Sequence, residues 1–323
     1  MLLFSFGRHA FGAGLAIALL AGCGGESQAP SAAMPPAVGP AARLTDQHLL
    51  YIADAGSHAV TVYAYPTGIF LGQLAGPTQP RGECAHNARY ERNSAVLVTD
   101  ATSKIGLYPI NEILPHETLN DAGEQPMGCA VNPINGDLAV TSYASASGSG
   151  DIAIYRKEQR GPRYFRVPEV YVDKAIAHFY YCGYDAKGNL YVDGTNHAGR
   201  FIFARLILES KQWRTITLSQ RIQIPGGVQW DGEYMAVGDA GLSPSVIYRF
   251  QIRGDSGTKV GSAVLLKSIA VQQFFIDGDV VIGPDKGAGN VGLWRYPQGG
   301  TPNALWSTFF LDQPVGAVVA SLK

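Results

Sequence analysis

The sequence predicts an all-β fold, a six-bladed β-propeller closed by a C-terminal strand that completes blade one. Three observations carry this reading. An apolar strand ending in an aromatic recurs every 45–48 residues. A strand–turn–strand unit with glycine in its turn recurs at the same interval. The final copy of that unit's first strand stands at the C-terminus with nothing after it, and the first block lacks one of its own.

The aromatic-ended strands are Val60–Tyr63, Ile105–Tyr108, Ile152–Tyr155, Phe201–Phe203, Val246–Tyr248 and Val291–Trp294. Repeats of this length match one four-stranded propeller blade. In the second landmark, Asn135-Gly136, Lys187-Gly188 and Asp231-Gly232 supply the positive φ that tight hairpins need. Alignment on the Asn or Asp three residues on places Cys84, Cys129, Cys182, Val228 and Phe274 at one equivalent position, with Ala317 the sixth. Residues 314–322 then supply blade one's inner strand, joining the chain ends and hiding edges that would template aggregation.

The blades carry Pro-x-Gly before an apolar residue, Gly in the turn, then an apolar run ending in Asp, as in Leu49-Leu-Tyr-Ile-Ala-Asp54. In this the chain resembles six-bladed NHL-type propellers across residues 44–323, and most of all exported bacterial propellers of that type. The resemblance implies a fold and no activity, because this fold hosts many unrelated functions.

Composition agrees. Apolar residues make up 46%, glycine is abundant at 39 residues, and the formal charge is -1. The core can be large, and no basic balance points to nucleic acid. Residues 1–22 read as a signal peptide: Arg8, an apolar run from Phe11 to Leu20, then Leu20-Ala-Gly-Cys23. That tetrapeptide resembles the lipobox of bacterial lipoproteins. The resemblance implies cleavage before Cys23, acylation of its sulfur with palmitate-type chains, and anchoring in a lipid membrane. Residues 23–43, rich in Pro and Ala, read as a lipidated tether. The expected location is the cell envelope, outside the cytoplasm, in the outer membrane where the organism has one.

Candidate chemistry gathers where segments entering the inner strands share a face with the loops after the second strands. Arg81, Glu83 and Tyr181 come from the entries, and His197 and Lys286 from the loops. These five are the expected ligand-binding residues, with Arg81 or a bound cation close to Glu83. Asp54, Asp100, Asp193, Asp239 and Asp285 read as turn-capping residues, because one ligand has no six-fold shape. Cys84, Cys129 and Cys182 read as free buried thiols, the alternative being a Cys84–Cys129 or Cys129–Cys182 bridge, which needs Cα atoms within about 7 Å. The longest loop, Ser142 to Asp151, is a lid or slack.

The leading expectation is a non-catalytic, membrane-tethered binding or interaction module for an unknown small molecule or envelope protein. The alternative is a calcium-dependent, lactonase-like hydrolase. Lactonases of this fold hold calcium with Glu, Asn and Asp in the channel; Glu83 would be the first ligand, while Asn87, Asn132, Asp185, Asp231 and Asp277 stand at the far-end turns. A third reading is a structural subunit of an envelope complex. No catalytic residue and no cofactor is named by the sequence outside that calcium alternative.

Overall fold

A computed structural model describes residues 48–86, 94–121, 124–145, 148–158 and 164–321. The expected signal segment, Cys23, the tether and Asn87 lie outside the described residues. The described residues contain no helix; they form six sheets, each the core of one blade.

Blade 1 orders its strands Pro314–Ser321, His48–Asp54, Ala59–Ala64 and Ile69–Gln73 from the axis outward. The C-terminal strand is thus its innermost strand, and Ile52 pairs with Ala317. The inner strands of blades 2 to 6 are Pro80–His86, Pro126–Val131, His178–Tyr184, Pro225–Trp230 and Phe275–Asp277. Their second strands are Ala95–Asp100, Leu138–Ser142, Leu190–Thr195, Met235–Asp239 and Val280–Asp285. The sheet of blade 5 is widened by Thr217–Leu218 and Gly299–Gly300, both parallel to its outer strand Ser256–Leu265.

Second strands read as unbroken apolar runs because each blade is buried on both faces by its neighbours. Alternate side chains therefore enter different cores. Leu49, Tyr51 and Ala53 pack with Val96 and Val98 of blade 2, while Leu50 and Ile52 pack with Ile282 and Val291 of blade 6. Six such clusters fill the six blade junctions.

The cysteines depart from expectation. Cys84 and Cys129 form a disulfide, with Cα atoms 5.7 Å apart, and Cys182 is a buried free thiol. The three are not equivalent. Pro80 and Pro126 both open their strands opposite the last residue of the second strand, and each strand then bulges once. Glu83, not Cys84, follows Pro80 as Cys129 follows Pro126. Cys84 lies opposite Leu97, one residue further along. A one-residue offset reverses the side to which a strand residue points, so Cys84 turns toward blade 3 and meets Cys129 coming the other way.

The turn-capping aspartates also divide. Asp54 accepts the amides of Gly56 and Ser57, and those of Asp312 and Gln313 at the entry to the blade 1 inner strand. Asp100, Asp239 and Asp285 do the same in blades 2, 5 and 6. Asp193 is not one of them. Thr195 holds the strand-end position in blade 4, and Asp193 lies two residues earlier, where other blades have Ile52, Val98, Val140 and Val237. It is a fully buried carboxyl facing blade 5; the Tyr181 amide donates to Oδ1, and Oδ2 has no hydrogen bond of proper geometry, though the Gly226 amide also favours its charged form.

Candidate functional site

An axial cavity of about 380 Å³ runs between the inner strands. Its wall includes Glu83, Tyr181 and Gln273 at one end, and Pro133, Asp185 and Trp230 at the other. Those last three belong to, or adjoin, the far-end turns. The cavity therefore opens at the face opposite the strand entries. Residues preceding Glu83, Cys129, Tyr181 and Val228 in their strands do not line it.

Backbone packing explains the closed end. A Cβ on Gly82 would lie 2.3 Å from the Met127 carbonyl oxygen, and one on Gly128 2.9 Å from that of Tyr180. Glycine in Pro-x-Gly thus lets adjacent inner strands touch main chain to main chain. At the open end Trp230 and Phe275 are half-buried. Between them the wall holds the Cys84–Cys129 disulfide and the Cys182 thiol.

Of the five expected ligand-binding residues, the cavity takes in Glu83 and Tyr181 and leaves Arg81, His197 and Lys286 outside. His197 is exposed, and Arg81 and Lys286 are half-buried on the entry face. The shared face itself exists: strand entries and second-strand loops are joined by Ala101–Gln79, Ala240–Ile224 and Lys286–Ala270 backbone bonds.

Glu83 has no ion pair with Arg81. The residue is 2% exposed, and neither carboxyl oxygen has a hydrogen bond of proper geometry. Burial lifts it from the ordinary value of 4.5 to about 8, with only the nearby Ala53 amide pulling the other way. A protonated Glu83 avoids the cost of an unpaired buried carboxylate. The charge of Arg81 instead falls on Tyr181, whose hydroxyl is raised first by burial and then by Asp193 and Tyr180. Burial also drives Asp193 well above the usual carboxylate range, against the amides of Tyr181 and Gly226.

Among the described residues, no group of three or more His, Cys, Asp or Glu side chains could hold a metal ion. Asp185 caps its own turn through Lys187 and Asn189, and Asp231 is taken by Arg249 and Tyr296. Sequence reasoning missed Trp230, Phe275 and the cavity's direction. The aromatic before the Asp231 turn was the available signal for Trp230.

A second acidic group lies at the root of the Ser142–Asp151 loop. Asp121 accepts from Tyr155 and Ser142, while Glu124 and Asp151 face each other. Burial first, then Glu124 and Asp121, raise Asp151 to about 7.

Fold and cavity define a six-bladed β-propeller with an axial pocket. No family model matches the chain, and no curated protein is similar to it in sequence. Solved structures are similar in fold. One is the nidogen/laminin complex, at TM-score 0.64 and 13% identity over 85% of this chain and 98% of that one. A protein of unknown function from Bacteroides caccae gives 0.63 and 11%, over 85% and 99%. A functionally unknown protein from Desulfotomaculum acetoxidans gives 0.55 and 9%, over 85% and 99%. At these identities the likeness is one of fold alone.

Proposed function

We propose that the protein is a non-catalytic binding module, tethered to a membrane through acylated Cys23 on the extracytoplasmic side, whose small-molecule ligand occupies the axial cavity. The observation that carries this reading is the cavity itself: about 380 Å³, open at one end, with aromatic rings at its opening. Its size falls within the usual range of ligand sites, roughly 300–1,000 Å³. The propeller supports it by holding six rigid strands around one axis, as binding scaffolds do.

A thermal-shift screen of small molecules, with and without calcium, tests the reading. A ligand should raise the melting temperature in wild type and lose that effect in Ala130→Trp, which fills the cavity wall. Stabilisation that survives Ala130→Trp would place the ligand elsewhere. Calcium-dependent stabilisation would favour the lactonase-like alternative. Membrane fractionation of Cys23→Ala tests the tether: release from the membrane is expected, and retention in high salt counts against it.

A further inference from the structure

We propose that the entry-face sector formed by blades 5, 6 and 1 docks on an anionic phospholipid surface. This rests on the tethering reading for its biological setting, but not for its physics. The sector is continuous. A Cβ on Gly241 would meet Ile224, one on Gly287 would meet Ile269, and one on Gly289 would meet the Asp312 carbonyl. Ser243 bonds the Ser268 carbonyl, tying the blade 5 loop to the blade 6 entry.

This surface is apolar and cationic at once. Phe309 is 106% exposed, Ile269 51%, Ile224 49% and Leu266 42%. Interleaved with them are Arg221 and Lys267, both exposed, and half-buried Lys286. None of the three cations has an acidic partner within salt-bridge distance. The aspartates of the same loops, Asp239 and Asp285, are buried and bound to backbone amides, leaving Asp312 as the exposed acid.

Large apolar side chains spaced among unpaired cations suit the interface of an anionic bilayer. The rings and branched chains enter the headgroup boundary, and each cation near the surface is attracted to the anionic lipid. An acidic protein would satisfy the cations but leaves fully exposed Phe309 without a stated pocket, so the lipid surface is the better fit. The chain allows it. Cys23 and His48 are separated by 24 residues, an extended reach of roughly 80 Å. The second strand of blade 1, which His48 opens at the far end, is roughly 23 Å long.

The test uses the full chain purified from membranes, mixed with vesicles of brominated phosphatidylcholine with or without brominated phosphatidylglycerol. Phe309→Trp reports the entry face and Ile134→Trp the far end. Emission added by Phe309→Trp should be quenched at least about twofold more with phosphatidylglycerol, and this excess should fall at high salt as screening predicts. Ile134→Trp should be unaffected. Lys267→Glu with Lys286→Glu should abolish the excess while the melting temperature stays within a few degrees. Equal quenching at both sites, equal quenching in both lipids, or none overturns the proposal. If the chain carries no acyl group, the tethering reading fails alone, and phosphatidylglycerol-dependent quenching still supports the docking surface.

Discussion

Gln273 of blade 6 clasps the main chain of Glu83 in blade 2. Its Nε2 donates to the Glu83 carbonyl at 2.7 Å and its Oε1 accepts the Glu83 N–H at 3.0 Å. To do so it passes over Gly316 of the C-terminal strand, where a Cβ would lie 2.9 Å from Oε1. One amide thus spans the blade that the two chain ends build together. Blade closure depends on side-chain recognition here as well as on strand pairing.

Gln273→Leu should leave both Glu83 backbone groups buried and unmatched. Each such loss costs about 1–3 kcal/mol, so urea unfolding should shift its midpoint with little change in slope. Gly316→Ala should act in the same direction by displacing the amide. An unchanged midpoint in both variants would mean the clasp contributes nothing.

Removing residues 314–323 takes away the strand whose Ala317 and Val319 pair with Ile52 and Leu50. It exposes the second strand of blade 1 and opens cores on both sides. The truncated chain should lose its cooperative thermal transition as a whole, not one blade at a time. A normal melting curve would show that the ring closes without this strand.

The disulfide closes a loop with a sequence separation of 45, for which chain-entropy arguments give about 4 kcal/mol. Cys129→Ala, or reduction of wild type, should lower the melting temperature by many degrees. Cys182→Ala should do less, since it removes core packing and a weak S–H contact to the Ala139 carbonyl but no covalent link. Free-thiol titration of the unfolded Cys23→Ala chain without reductant should detect Cys182 alone. A second or third reactive thiol would contradict the bridge.

These two features mark where the sequence was readable and where it was not. The aromatic-ended strands all proved to be third strands, because their repetition reports packing that every blade needs. The unpaired terminal strand gave ring closure for the same reason. Register was harder. Aligning inner strands on Asn87 and its counterparts set Cys84 level with Cys129; aligning on Pro80 and Pro126 sets Glu83 there instead. The Pro-x-Gly end is fixed by contacts between neighbouring blades. Asp193 failed similarly, because a strand ending Asp-Gly-Thr resembles one ending in its capping Asp. The cavity's open end depends on which backbones converge, and no local pattern encodes that.

The stability of this protein depends on pH with a sign set by which carboxyls are raised and which are lowered. Glu83 stands at about 8 against 4.5, and Asp151 at about 7 against 3.8. For both, the native state holds a proton that the unfolded chain has released, so stability falls as pH rises from about 4 to 8. Asp100 runs the other way. Burial opposes its charge, but Thr102, Gln79 and Thr78 donate enough hydrogen bonds to hold it below 3.8. Its contribution is present above the unfolded value and is lost as pH falls through the folded one. Stability should therefore peak near pH 4–5 and decline toward pH 8, earlier than the usual plateau. Glu83 is fully buried, so its share of that decline is roughly 3–5 kcal/mol. Glu83→Gln keeps the shape and cannot ionise. It should remove Glu83's share of the alkaline limb, leaving the slope due to Asp151 and Asp193, and should be more stable than wild type at pH 8 but not at pH 4.5. Melting temperatures of both proteins across pH 4 to 9 decide it. Parallel curves would mean that Glu83 is charged in the native state, and that a partner for it exists in solution.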